Sequence, residues 1–116
     1  IYKELSSVGV ICQKPQGGFY MICDFSDVVN KTHEITGDKT LCQKILNDTG
    51  FAMLPGSDFG MEEEKLLSRI AFVDFDGSKA LEMISKEKSS PDSFLDLACP
   101  KILKGISLLK DWIITK

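Results

Sequence analysis

Apolar residues recur along this chain with two periods, and the switches between them mark out its elements. Ile1-Tyr2-Lys3-Glu4-Leu5 carries apolar residues four apart with no N-cap ahead of them, and reads as the tail of a helix whose beginning is absent. Val8 to Cys12 is a β-rich run, Lys14-Pro15-Gln16-Gly17-Gly18 is turn chemistry, and Phe19 to Phe25 is a second apolar run, which together predict a hairpin. Asp27 to Gly37 is polar and predicts loop. Over Lys39 to Asn47, Leu41, Ile45 and Leu46 fall at helical spacing, with Asp38 as N-cap and Gly50 just beyond the C-terminus. Phe51 to Leu54 predicts a short strand stopped by Pro55-Gly56, and Leu66 to Phe75 a longer one. Asp76 then caps a helix with Ala80, Leu81 and Ile84 as its apolar stripe. Ser90-Pro91-Asp92 opens a terminal helical segment in which Leu95, Ala98, Ile102, Ile106, Leu109 and Ile113 recur at three- and four-residue steps. Pro100 kinks or restarts that segment.

A hairpin followed by helix-strand, strand-helix and helix predicts an α+β fold: a small, largely antiparallel sheet, the hairpin plus two further strands, with helices packed mainly on one face. Strand parity puts Leu66, Ser68, Ile70 and Phe72 on one face of the last strand and Leu67, Arg69, Ala71, Val73 and Phe75 on the other. Both sets are mostly apolar, so the sheet is expected to be covered on both sides. The helices suffice for one side, which leaves another domain or a partner chain to cover part of the other.

The 116 residues, 43% hydrophobic and 27% charged, suit a single globular domain. A net charge of -3 and scattered lysines argue against nucleic-acid or anionic-membrane partners, which call for clustered basic charge. No apolar run reaches the roughly 18 residues that span a bilayer, and no secretory leader is visible, so the expected location is cytoplasmic. The acidic run Glu62-Glu63-Glu64 reads as a solvated loop or first helical turn. Cys12, Cys23, Cys42 and Cys99 form no C-x-x-C pair and only His33 is on hand to complete a mixed site, so no metal is expected. Cys12 and Cys23 approach each other across the predicted hairpin, but cytosolic thiols are normally reduced, and all four read as core thiols.

One residue stands apart. Arg69 is the only arginine among fourteen basic residues, and it lies in the apolar run Leu66-Leu67-Ser68-Arg69-Ile70-Ala71-Phe72-Val73. A guanidinium keeps its proton and is costly to bury without an anion, so a lone arginine among apolar neighbours points to a need for a planar, two-pronged donor. Carboxylates and phosphates are what such a donor recognises.

Three segments and this arginine form an ordered set: Lys14-Pro15-Gln16-Gly17-Gly18-Phe19-Tyr20, then Gly50-Phe51-Ala52-Met53-Leu54-Pro55-Gly56-Ser57-Asp58-Phe59-Gly60, then Ser68-Arg69-Ile70-Ala71-Phe72. Their order and spacing resemble the C-terminal small domain of class I/II aminotransferases, fold type I enzymes dependent on pyridoxal phosphate, over nearly all of residues 1–116. The resemblance implies that Arg69 pairs with the α-carboxylate of an amino-acid or 2-oxo-acid substrate. It also implies that Phe19 lines the substrate side of the site, and that the Pro55-to-Gly60 loop joins adjacent strands. The same family holds its cofactor on a lysine, usually in a Ser/Thr-x-x-Lys context ahead of the small domain, with an aspartate on the pyridine nitrogen and a phosphate-binding cluster. None of these is assignable here, and Ser78-Lys79 falls where the family has no cofactor lysine. The chain is therefore expected to be a fragment lacking the large domain, with no catalytic or cofactor-binding residue of its own and no transamination alone. The intact enzyme is expected to be a homodimer.

Two other readings compete. Ile70-Ala71-Phe72-Val73-Asp74-Phe75-Asp76-Gly77-Ser78 resembles the first motif of haloacid-dehalogenase-type phosphatases, but that fold needs a parallel sheet and further acidic and basic residues downstream, where only a mostly helical tail remains. Alternatively the chain is a free-standing α+β module that binds an amino acid or a partner protein, with Arg69 as its clamp or as a structural ion-pair partner. The environment of Arg69 separates these: an internal carboxylate on its guanidinium makes it structural, an open position makes it a binding residue. His33 and Trp112 read as a surface histidine and a core aromatic.

Overall fold

Four strands pair in the order β1-β2-β4-β3, every neighbour antiparallel: β1 Ile11–Cys12, β2 Tyr20–Asp24, β3 Leu54–Pro55 and β4 Leu67–Ala71. They belong to a computed structural model that describes residues 1–85 and 91–115, the side chains of 91 and 92 excepted. Five helices complete the chain: α1 Tyr2–Ser7, α2 Asp38–Thr49, α3 Gly77–Ser85, α4 Pro91–Ala98 and α5 Pro100–Ile114. This is the expected small α+β fold.

The register sorts the side chains. Met21 faces Ile70 and Cys23 faces Ser68, all four buried, whereas Tyr20, Ile22 and Asp24 stand opposite Ala71, Arg69 and Leu67 on the other face. Helices α1, α2 and α5 pack on the first face and bury Leu5, Leu41, Ile45, Leu109 and Ile113 against it. Trp112 joins that core and donates its Nε1–H to Asp48 Oδ2 at 2.8 Å. The second face is left largely open within this chain, whose helices cover only the first. Ile11, Tyr20 and Leu54 remain exposed there, because among the described residues only the turn after β3 reaches over it.

The strands are shorter than their apolar runs. Val8 closes α1 and Gly9, at φ 90°, turns the chain while Val10 N–H returns to Leu5 O, so β1 starts only at Ile11. At the end of α2, Gly50 takes the left-handed conformation at φ 76° and Phe51 N–H is bound by Thr49 Oγ1, which delays β3 to Leu54. Beyond Phe72 the last strand has no partner, and Val73 to Asp76 turn into α3. A Gly50→Ala substitution is expected to cost about 1 kcal/mol in urea unfolding. A Cβ there meets nothing within 4 Å, so the penalty is backbone strain alone.

Three helical expectations change. Asp38 is the first helical residue of α2 and not its cap; Gly37 is the N-cap, and its N–H is bound by Thr40 Oγ1 at 3.1 Å. Asp76 does cap α3 through Lys79 N–H at 3.0 Å, but Leu81 is 71% and Ile84 64% exposed. Only Ala80 is buried, with Met83 beside it, since α3 rests on α4 and not on the sheet. Pro100 restarts the helix at the first position of α5, next to buried Cys99, and Leu95 points outward while Ala98, Ile106 and Leu109 are buried. The expected cap at Ser90 and the acid at Asp92 lie outside the described residues. Among the described residues no helix is long and apolar enough to cross a membrane.

Candidate functional site

Arg69 sits at the centre of β4, paired with Ile22 of β2 on one side and Leu54 of β3 on the other, so its side chain rises from the middle of the open face. Its guanidinium carbon lies 4.0 Å from the centre of the Tyr20 ring and 3.8 Å from that of Phe59. One ring comes from β2, the other from the turn after β3, so the cation is flanked from both neighbouring strands. Aromatic faces stabilise a cation through their quadrupole, and they do so without using its N–H donors. Among the described residues no carboxylate pairs with Arg69, and its Nε is buried with no hydrogen-bond partner. The fork is held in place with its donors unspent.

The turn that brings Phe59 to this position is built from the Pro55-Gly56-Ser57-Asp58-Phe59-Gly60 segment. Gly56 to Phe59 form one 3-10 turn, closed by Gly60 at φ 84°. Gly56 is needed where it stands: a Cβ would lie 2.9 Å from Leu67 Cβ. Asp38, fully buried at the start of α2, fastens the turn by accepting from Ser57 N–H at 2.7 Å and Ser57 Oγ–H at 3.1 Å. Asp38 thus ties the helix start to the site, a use that its place before a helical run conceals.

Phe19 lies at the rim, 49% exposed, with its ring 4.4 Å from that of Tyr20. Tyr20 and Phe59 are the residues sequence reasoning missed. Tyr20 is diagonal to Arg69 on the same face, a relation the antiparallel register supplies. The other candidates separate from this cluster. Asp74 is exposed and pairs with Lys101 at 3.8 Å, Asp76 is engaged as a cap, and the antiparallel sheet does not suit a phosphoaspartate site. His33 is exposed in a loop. A groove of about 920 Å³ lies elsewhere, lined by Tyr2, Met21, Phe72, Phe94 and Ile106; Lys110 at its edge is already engaged by Glu4.

Comparison with known proteins gives this geometry its family. Residues 1–79 match the model of "Aminotransferase class I and II". The chain is 35% identical over 102 residues to the mitochondrial alanine aminotransferase of Saccharomyces cerevisiae, covering 83% of this chain and 17% of that protein. It is 37% identical over 57 residues to the aspartate/prephenate aminotransferase of Cereibacter sphaeroides, covering 46% of this chain and 14% of the relative. Among solved structures, an aminotransferase from Mycobacterium tuberculosis aligns with a TM-score of 0.60 at 21% identity, over 98% of this chain and 22% of that one. The aspartate aminotransferase of Thermotoga maritima aligns with a TM-score of 0.57 at 18% identity, over 96% and 20%. The fold is that of fold type I aminotransferases, and the chain belongs to the class I and II aminotransferase family. It spans between 14% and 17% of the length of the curated relatives it matches.

Dependence on pyridoxal phosphate follows from the family. The surroundings of Lys79 do not fit that cofactor, because the residue is exposed in the first turn of α3.

Proposed function

We propose that residues 1–116 are the substrate-carboxylate-binding C-terminal small domain of a pyridoxal-phosphate-dependent aminotransferase, acting between an amino acid and a 2-oxo acid. The observation that carries the reading is Arg69, flanked by two rings and left without an internal anion. A carboxylate meets the fork through two parallel N–H···O bonds, and the aromatic walls lower the local dielectric and strengthen that pair. Tyr20 and Phe59 fix the guanidinium, so binding leaves less side-chain freedom to freeze. Phe19 lines the rim of the same site. The catalytic lysine and the cofactor's other holders belong to a large domain on the open face of the sheet. The isolated chain is therefore inactive, and the intact enzyme is a cytoplasmic homodimer.

The test is turnover of amino-acid substrates by the full-length protein with Arg69 replaced by alanine; unchanged kcat/KM would sink the assignment. A finer check is Phe59→Leu, which keeps the arginine and removes one ring. Losing an exposed cation–π contact of about 0.5–1 kcal/mol predicts a roughly two- to fivefold rise in KM with kcat little changed.

A further inference from the structure

Cys12 of β1 and Cys23 of β2 stand directly opposite each other, with their Sγ atoms 3.3 Å apart in a thiol–thiol hydrogen bond. Gln13 N–H donates to Ile22 O in the adjoining pair, which makes Cys12–Cys23 a non-hydrogen-bonded pair of the antiparallel ladder. In such pairs the Cα atoms approach to about 4.5 Å, inside the span a disulfide bridges. The two thiols also differ in access. Cys12 is half-buried on the edge strand, while Cys23 is fully buried beneath it. We propose that Cys12 and Cys23 form a reversible thiol–disulfide site, oxidised by low-molecular-weight disulfides, with Cys12 as the solvent-facing attacking thiol and Cys23 as the resolving one.

The exchange balances in two steps. The Cys12 thiolate attacks one sulfur of the small disulfide, forming a mixed disulfide and expelling one small thiolate. Cys23 gives its proton to solvent, attacks the Cys12 sulfur, and expels the second small thiolate. Two protein thiols are oxidised and one small disulfide is reduced to two thiols. Cys12 is suited to begin, because its hydrogen bond with Cys23 holds its thiol below the ordinary value; that same bond and burial push Cys23 up. Cys42 is no competitor, since burial, with Asp38 and Asp58 nearby, pushes its thiol up to about 12. Cys99 is buried at the junction of α4 and α5, in an apolar cluster with Ala80 and Ala98 that holds no other cysteine among its buried residues. Oxidation fastens the edge strand β1 to β2 one residue from Ile22, the partner of Arg69.

The test equilibrates the full-length protein with oxidised glutathione, alkylates the remaining thiols and maps peptides by mass. The expected result is a Cys12–Cys23 linked peptide, lighter by two hydrogens, that reverts on addition of reduced glutathione, with Cys42 and Cys99 recovered alkylated. Cys23→Ser is expected to stop at the glutathione adduct on Cys12, and Cys12→Ser to leave Cys23 unmodified in the folded protein. Recovery of Cys12 and Cys23 both alkylated, or of wild type with glutathione retained on Cys12, overturns the proposal.

Discussion

In the full-length enzyme, Arg69→Ala is expected to lower kcat/KM for amino-acid substrates by roughly 30- to 5,000-fold, the kinetic equivalent of losing a buried charged partner worth about 2–5 kcal/mol. Most of the loss should appear in KM, because on the proposed reading the carboxylate would be held before and during the chemistry; whatever appears in kcat measures how far the clamp also sets the angle of attack. Arg69→Lys is expected to recover only part of it. A lysine keeps the charge but presents a point donor in place of a fork, and its ammonium, more strongly hydrated than guanidinium, is less at ease between Tyr20 and Phe59. Steady-state kinetics on the three proteins with one amino acid decide it, and equal constants for wild type and alanine variant would remove the substrate role.

Arg69 was legible because composition and periodicity agree: one arginine, on the opposite parity from buried Leu66, Ser68 and Ile70. The inward face of the sheet followed from that alternation, and the antiparallel hairpin from Gly17-Gly18 between two apolar runs. Tyr20 and Phe59 were not, for two different reasons. Placing Tyr20 beside Arg69 needs the register between β2 and β4, which no local pattern specifies. Phe59 reaches the cation only because a left-handed Gly60 and the Asp38 bonds bend its turn back over β4. Asp38 itself was misread as a cap since an aspartate before a helical run looks the same whether it serves its own helix or a serine nineteen residues on. Periodicity located the stripe of α3, but it is silent on whether a neighbour exists to cover Leu81 and Ile84.

Asp38→Ala is expected to destabilise the fold by about 2–4 kcal/mol. It removes a fully buried carboxylate, two charge-assisted bonds to Ser57, and a negative charge at the start of α2. Urea unfolding measures the loss, with Asp38→Asn expected to fall in between because the amide oxygen still accepts one of the two bonds. A second effect separates this from general destabilisation. With Ser57 released, the turn bearing Phe59 loosens while Arg69 stays fixed in the sheet, so KM in the full-length enzyme should rise at temperatures where the variant is fully folded. A destabilised variant with unchanged KM would show that Asp38 supports the fold without steering the ring.

The two sides of the clamp also differ in how they are anchored. Arg69 and Tyr20 belong to the interior strands β4 and β2, Arg69 at mid-strand between β2 and β3 and Tyr20 at the first residue of β2, opposite Ala71. Phe59 rides on a single 3-10 turn that is fastened to the start of α2 through Ser57 and Asp38. Substrate would thus meet one wall woven into the sheet and one hung from a helix start, so a disturbance at α2 reaches the arginine without parting a single strand.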